Sequence, residues 1–231
     1  MAYQNVSRII DFQMPRLVKI LISVLLLSSL TYLFGWSSVF TVKKVEYSGI
    51  SNSNQISAVE RRVGDLTGTK LARIEPRQIA NTINSLSWVN GADVSRNWFS
   101  GSVSISVQPR TAIGAFGTSY IDASGTIFDP IVPPVDVPRV SAPTPDIGLE
   151  AIKLFTSLPQ DFRANIESMS ARSGSDFSMI LQVPARQVTL RFGSADDVAL
   201  KVKVFNALMA LKENKKVSAI DVSAPHAPIV K

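Results

Sequence analysis

A chain of 231 residues holds one large domain or two small ones at roughly 150 residues per domain, and its 45% hydrophobic and 18% charged composition argues against disorder. Lysine and arginine outnumber aspartate and glutamate by 24 to 18, but this surplus is spread along the chain and does not favour nucleic-acid binding. Cysteine is absent and His226 is the single histidine, which excludes thiolate zinc sites, thiol nucleophiles and disulfides.

An uncharged stretch near the amino terminus predicts a membrane anchor. It runs from Ile20 to Phe40, and as a helix of 21 residues it would cross about 30 Å of hydrocarbon. Arg16 and Lys19 precede it, and Tyr32 and Trp36 lie near its far end, where amphipathic rings prefer the interface. Because positive charge favours the cytoplasmic side, we expect the amino terminus to lie in the cytoplasm.

A cleaved signal peptide is the alternative interpretation of this stretch. No A-x-A-like cleavage site follows it, since no alanine occurs between Ala2 and Ala58. We therefore expect an uncleaved signal anchor, with residues 1–19 as a cytoplasmic tail and residues 20–40 as a single transmembrane helix of the cytoplasmic membrane. The rest of the chain is then expected to lie outside the cytoplasm.

The segment 41–108 predicts a small domain of three strands and two helices. Alternating apolar residues indicate strands, and apolar residues at helical spacing indicate helices. The predicted order is strand (Phe40 to Tyr47), helix (Ile56 to Val63), helix (Pro76 to Leu86), strand (Asp93 to Trp98) and strand (Val103 to Val107). A sheet covered on one face by two helices would bury these apolar positions.

The segment 109–223 predicts a mixed α/β domain with an antiparallel sheet, which makes the whole exported part α+β. It begins with short strands that include a hairpin from Tyr120 to Phe128. A connection at 129–145 follows, which holds six of the 13 prolines and is expected to run extended across the surface.

Helices and strands follow this connection. Thr144 and Pro145 predict a helix start, and three strands are predicted at 166–171, 177–183 and 187–192. Ser194 and Asp197 resemble a capping box that opens a second helix. A last strand from Val217 to Val222 precedes a tail at 224–231, whose prolines predict that the strand does not continue.

The order of these features resembles the FtsQ/DivIB family of bacterial cell-division proteins. The motifs that carry the resemblance are, in chain order, FTVKKVEYSGI, SWVNGADVSRNW, YIDASGTIFDP, VTLRFGS followed by a lysine-bearing helix, and AIDVSAPHAPIV. Two positions depart from the family pattern. Trp98-Phe99 stands where an aromatic residue followed by proline is usual, and Pro109-Arg110 stands where a Glu-Arg pair is frequent, so no role of that glutamate is carried over.

The resemblance implies a POTRA domain (β-α-α-β-β) next to the membrane, a larger β domain after it, no catalysis and no cofactor. It implies a divisome scaffold at the septum that recruits and links other division proteins to control septal peptidoglycan synthesis. The implied partners are FtsB/FtsL-like proteins and the septal synthase complex.

Enzyme motifs are scarce in this sequence. It contains no G-x-S-x-G nucleophile elbow, and no serine is followed three residues later by lysine. Asp196 and Asp197 are expected in the first turn of a helix, where the helix macrodipole stabilises negatively charged side chains, so they are not interpreted as a catalytic pair. Lys201 and Lys203 are expected on a solvated helix face, and His226 in a solvated tail. No catalytic, cofactor-binding or metal-binding residue is therefore assigned.

The last predicted strand is the candidate partner site. A short terminal strand has free backbone groups that must be protected or used, and an inner strand, a protected edge and a docking edge all fit the residues. The resemblance favours docking, because FtsQ-like proteins receive a partner strand at the last strand of the β domain. The partner-binding residues that it implies, through β-strand addition, are Val217, Ser218, Ala219, Ile220, Asp221, Val222, Ser223, Pro225 and Ile229.

Two other classes of protein compete with this interpretation. A POTRA-bearing component of an envelope protein assembly or secretion system would chaperone extended chains by strand addition. Such a protein would normally carry a barrel, but the sequence has no series of lipid-facing strands of about ten residues. A membrane-tethered hydrolase would need a catalytic motif, and the sequence has neither of the serine motifs considered above.

Overall fold

A computed structural model describes residues 15–36, 40–184 and 186–231. Most of the predicted cytoplasmic tail and residues 37–39 of the predicted anchor lie outside these ranges. Helix α1 (Arg16–Trp36) covers most of the remaining anchor segment. Within the described ranges, no helix combines the length and the apolarity needed to cross a membrane. The anchor therefore stays a prediction.

The first sheet has three strands with two helices packed against it. Its elements are β1 (Lys44–Ser48), α2 (Ser53–Val63), α3 (Pro76–Asn84), β2 (Val89–Asn97) and β3 (Ser102–Pro109), with a 3-10 turn (Leu71–Arg73) between the helices. The strand order is β1-β3-β2, in which β1 runs parallel and β2 antiparallel to β3. The predicted order of strand, helix, helix, strand and strand is confirmed.

Local sequence explains most of this first unit. Strict alternation in β3 directs Val103, Ile105 and Val107 into the core, where all three are fully buried. Burying each of these side chains contributes about 1.5 to 3 kcal/mol. The side chain of Asn52 caps α2 by accepting a hydrogen bond from the N–H of Asn54 at 2.8 Å.

The second sheet has nine strands. Its elements are β4 (Ala112–Phe116), β5 (Ser119–Asp122), β6 (Ile127–Phe128), β7 (Arg139–Ser141), α4 (Pro145–Ser157), α5 (Gln160–Arg163), β8 (Ile166–Ser173), β9 (Asp176–Val183), β10 (Arg186–Gly193), α6 (Val198–Ala210), a 3-10 helix (Lys212–Lys216), β11 (Ala219–Asp221) and β12 (Ile229–Val230). The strand order is β12-β11-β10-β9-β8-β7-β4-β5-β6. Apolar side chains of α4, α5 and α6 pack with the strands in one core.

The sheet is mixed rather than purely antiparallel. The pairs β4–β7, β7–β8 and β10–β11 run parallel, and the others run antiparallel. Strand β7 lies inside the connection 129–145, which was expected only to cross the surface. Arg139, Val140 and Ser141 lie between prolines but keep their own N–H groups, and Val140 is buried, so this part of the connection completes the sheet.

The predicted capping box at the start of α6 is wrong. The helix begins at Val198, and Asp197 precedes it with a left-handed φ of 51° and no side-chain hydrogen bond to the helix. Ser194 instead contacts Lys201, whose Nζ donates to the Ser194 carbonyl oxygen at 2.8 Å and to the Ser194 hydroxyl oxygen at 3.4 Å.

Lys201 also departs from expectation, since it does not lie on a solvated face. It is only 2% exposed, and Nζ lies 5.1 Å from the centre of the Phe192 ring. Burial lowers the pKa of this lysine, while Asp196 and Asp197 act in the opposite direction. Lys203 is exposed, as expected.

Candidate partner-docking edge

Strand β11 is shorter than the predicted strand. It covers Ala219–Asp221 and pairs in parallel with β10, with Thr189 opposite Ala219 and Arg191 opposite Asp221. Backbone hydrogen bonds extend this pairing on both sides, because the N–H of Thr189 donates to Ser218 O and the N–H of Val222 donates to Arg191 O, both at 2.9 Å.

The predicted last strand is not the outer strand of the sheet, so the prediction that it forms the edge is wrong. Strand β12 (Ile229–Val230) lies antiparallel beside it, with Val230 opposite Ile220 and Ile229 opposite Asp221. Ala219 and Lys231 exchange two backbone hydrogen bonds at 2.9 and 3.1 Å. The tail expected to end the sheet therefore returns and pairs with the outward side of β11.

Backbone geometry shows which groups this edge presents to solvent. In an antiparallel ladder, residues alternate between facing the partner strand and facing away from it. Ala219 and Asp221 face β12, so their N–H groups are not directed to solvent. On β12 the same alternation directs the N–H and C=O of Val230 away from β11. Pro228 has no N–H, so it can add no donor to this side.

Side chains of β11 separate into two faces. Ile220 and Val222 are buried in the core of the sheet, whereas Ala219 and Asp221 are half-buried on the other face. Ile229 lies opposite Asp221 and is 54% exposed. A partner strand that pairs at this edge would therefore meet Asp221 and Ile229, while Ile220 and Val222 hold the strand in place.

Asp221 is the charged centre of this edge. Its carboxylate accepts hydrogen bonds from the Ser223 N–H at 2.9 Å and hydroxyl at 2.6 Å, and lies 3.4 Å from Arg191 Nη1. Burial opposes ionisation, but the bonds from Ser223 and the charge of Arg191 outweigh it and lower the pKa of Asp221. Arg191 also contacts Asp176 on β9 at 3.5 Å. Asp176, Arg191 and Asp221 therefore form a polar row across three neighbouring strands of the sheet.

The remaining predicted residues lie beside the strand. Val217 precedes β11 and packs on the core, and its carbonyl oxygen accepts a hydrogen bond from Arg186 Nη1 at 2.6 Å. Ser223 lies against Gly193, where a Cβ would come within 2.7 Å of the Ser223 Cβ. Ser218 is exposed and Pro225 is half-buried.

The edge also contains three residues that were not predicted to belong to it, Val230, Lys231 and Arg191. The alternation of β10 could have identified Arg191 as a side chain on the solvent face. Nothing local in the tail APHAPIVK indicates a strand. Within residues 15–36, 40–184 and 186–231, no group of three or more histidine, aspartate or glutamate side chains is placed to hold a metal ion.

Comparison with known families adds an independent observation. A family model described as "POTRA domain, FtsQ-type" matches residues 40–110, which contain the three-stranded sheet. A second model, described as "Cell division protein FtsQ/DivIB, C-terminal", matches residues 112–223, which contain β4 to β11. No curated protein matches the chain.

Proposed function

The chain belongs to the FtsQ/DivIB family of bacterial cell-division proteins, and from this premise we propose that it is a non-enzymatic divisome scaffold. It is held in the cytoplasmic membrane by residues 20–40, with the amino terminus in the cytoplasm and both sheets outside. It recruits FtsB/FtsL-like partners at the septum and links them to the septal synthase complex. In this way it controls septal peptidoglycan synthesis.

The partner docks at the edge formed by β11 and β12. The observation that carries this proposal is that the outermost strand, β12, has only two residues and directs the backbone groups of Val230 away from the sheet. Strand addition takes its affinity from main-chain hydrogen bonds and its specificity from alternate side chains. Here the specifying side chains are Asp221, Ser223 and Ile229, next to the polar row that Arg191 continues.

Proline substitution at Val230 tests this edge. Val230→Pro removes the outward N–H and leaves the pairing of Ile229 and Lys231 with β11 in place, so we expect a fall in partner affinity of at least about tenfold with unchanged circular dichroism. Val230→Ala retains the N–H and serves as the matched control. A folded Val230→Pro variant that binds the partner with wild-type affinity would place the docking edge elsewhere.

A second variant distinguishes addition beside β12 from replacement of β12. Ile229→Pro removes an N–H that faces β11 and loosens the pairing of the two strands. If the partner adds beside β12, this variant binds more weakly than wild type. If the partner replaces β12, it binds more tightly, because the competing strand of the chain itself is weakened.

The cellular role is tested by localisation. A fluorescent protein fused to the amino terminus leaves β12 unaltered. We expect the fusion to concentrate at the division septum. A uniform distribution around the envelope in dividing cells would contradict the division role of this chain and favour a component of envelope protein assembly.

A further inference from the structure

The turn between β2 and β3 presents a phenylalanine, Phe99, that is 100% exposed. The turn is well fixed. The side-chain oxygen of Asn97 accepts hydrogen bonds from the N–H groups of Phe99 and Ser100, at 3.0 and 3.2 Å, and Gly101 supplies the positive φ of 73° that closes the turn. A single exposed apolar side chain is ordinary on a protein surface, but its surroundings make this one informative.

The turn is attached to the segment that follows α1. The ring of Trp98 packs edge-on against Phe40 at 6.2 Å between ring centres, and the N–H of Lys43 donates to Gly101 O at 2.8 Å. Phe40 is four residues beyond Trp36, the end of α1, and four residues of extended chain reach at most about 14 Å. The proposed anchor, residues 20–40, ends at Phe40 itself and would therefore hold this turn close to the outer surface of the cytoplasmic membrane.

The surroundings of the turn are positively charged. Thr41 forms an isolated bridge with Lys70, and Arg96 Nη1 donates to Leu71 O at 2.9 Å, so the segments 40–43, 69–73 and 96–101 lie together. These three segments contain the basic residues Lys43, Lys70, Arg73 and Arg96 and no aspartate or glutamate.

Arg96 differs in its role from Lys43 and Arg73. Arg96 is committed to the fold, because it lies 5.0 Å from the centre of the Trp98 ring and donates to backbone carbonyls of the 3-10 turn. Lys43 and Arg73 are exposed, and the side chain of Lys43 passes close to Gly101. An exposed aromatic ring with exposed cations on adjoining segments complements an anionic lipid surface, where rings enter the headgroup region and cations meet phosphates.

We propose that the β2–β3 turn docks on the anionic lipid surface around the anchor. The Phe99 ring enters the headgroup region, and Lys43 and Arg73 face lipid phosphates. This inference rests on the proposed membrane anchor. It gives the POTRA domain a second point of membrane contact and thereby limits how far the domain can tilt relative to the bilayer.

The absence of cysteine allows a direct test in the full-length chain. Phe99→Cys is labelled with an environment-sensitive NBD fluorophore and reconstituted in vesicles of equal parts phosphatidylglycerol and phosphatidylcholine. Val135→Cys, labelled in the same way, is the matched control, because Val135 is also an exposed apolar residue, at 90%, in a different part of the chain. Nitroxide-labelled lipids in the same vesicles report contact with the bilayer through quenching.

We expect the probe at residue 99 to shift its emission to shorter wavelength, to gain intensity severalfold and to be quenched by nitroxide lipids, while the probe at residue 135 does none of these. Vesicles of phosphatidylcholine alone should reduce the shift at residue 99.

If both variants float with the vesicles but their probes behave alike, the docking is wrong and the anchor stands. If neither variant floats with the vesicles, the anchor is wrong, and the proposed docking is wrong as well. Protection of residue 99 in native membranes, but not in these vesicles, would assign the turn to a protein partner and overturn the lipid docking.

Discussion

Arg110 donates a hydrogen bond from Nη1 to Oδ2 of Asp122 at 2.6 Å, and this ion pair joins the residue after β3 to the end of β5. Each residue of this ion pair is also held by further hydrogen bonds. The Arg110 N–H donates to Trp88 O at 2.8 Å, and Oδ1 of Asp122 accepts hydrogen bonds from Ser124 and Thr126 in the hairpin turn. Pro109-Arg110, which departs from the family pattern, therefore provides a link between the two sheets.

Removing this link should destabilise the chain. The two side chains are only 19% and 10% exposed, so Arg110→Ala leaves a nearly buried carboxylate without its cation, and we expect a loss of about 2 to 4 kcal/mol in the free energy of unfolding. Arg172→Ala is the control, because Arg172 is 87% exposed and lies 3.9 Å from Asp176, a geometry worth at most about 0.5 kcal/mol. Equal midpoints of urea denaturation for the two variants would contradict a structural role of the Arg110 pair.

The same carboxylate should contribute to acid sensitivity. Burial opposes ionisation of Asp122, but hydrogen bonds from Ser124, Arg110 and Thr126 outweigh it and lower its pKa. A carboxyl whose pKa is lower in the folded state stabilises the fold fully above its unfolded pKa of about 3.9, and this contribution is lost as the pH falls through the folded pKa.

We therefore expect wild type to lose more unfolding free energy than Asp122→Asn when the pH is lowered from about 6 to about 2. Ser124→Ala should show an intermediate loss, because it removes one of the bonds to the carboxylate. Ser175→Ala, which alters an exposed serine of another turn, should follow wild type. Parallel curves of stability against pH for wild type and Asp122→Asn would refute this assignment.

Phe128 should stabilise the core of the first sheet, although it lies in the second. It is 2% exposed and belongs to the same buried cluster as Val103 and Ile105. Phe128→Ala should cost about 3 to 5 kcal/mol, whereas Ile127→Ala, which alters a neighbour that is 44% exposed, should cost less than about 1 kcal/mol. Hydrogen exchange of β2 and β3 amides would be the measurement, and unchanged protection in Phe128→Ala would show that the ring is dispensable there.

The autonomy of the first unit can be tested with fragments. We expect a fragment of residues 40–110 to show a cooperative thermal transition, as the complete pattern of its strands and helices predicts. A fragment of residues 40–131 should melt at a higher temperature, because it retains Phe128. A fragment 40–110 without a cooperative transition would contradict the predicted division of the chain near residue 108.

Lys201 should contribute more to the stability of the fold than a charged side chain on a helix usually does. Lys201→Ala removes a buried stem and leaves the Ser194 carbonyl without its donor, for which we expect a loss of about 2 to 4 kcal/mol. Lys201→Met restores part of the packing and should recover part of this loss. Lys203→Ala, on the exposed face of the same helix, should change stability by less than about 0.5 kcal/mol. Chemical denaturation that ranks Lys203→Ala as the more damaging change would overturn this explanation.

The orientation of the predicted anchor can be measured with single cysteines. Ser7 lies outside the described residues, in the predicted cytoplasmic tail, and Val135 is 90% exposed in the part of the chain that is predicted to lie outside the cytoplasm. In intact cells with a permeabilised outer envelope, an impermeant maleimide should label Val135→Cys and spare Ser7→Cys. The reverse labelling would invert the predicted topology.

Much of the fold could be predicted because its signals are local. The alternation in β3 and the cap at Thr144, whose hydroxyl accepts a hydrogen bond from the Ile147 N–H, need only neighbouring residues. Strands β7 and β12 were not predicted, because each is short and close to prolines. Each forms through pairing with strands that are distant in the sequence. The docking edge stays a prediction, and the sequence alone could not show which backbone groups face outward there, because that depends on the pairing of β12 with β11.

Lys201 illustrates a different limit of sequence patterns. Lysine on a helix usually lies in solvent, and Lys203 conforms to that rule. Lys201 does not, because the Phe192 ring and the Ser194 carbonyl receive its ammonium group inside the fold. These two groups belong to the strand and loop before the helix, and helical periodicity contains no information about them.

The position of Phe128 also has a consequence for exchanging parts between relatives. In a chimera joined near residue 111, one parent would supply the other buried residues of the first core, and the second parent would supply the residue at position 128. Such a chimera tolerates the exchange only where both parents carry a ring of similar size at this place. During divergence, substitutions around Val103 and Ile105 are therefore expected to be accompanied by compensating changes at Phe128, beyond the boundary that the two family models draw.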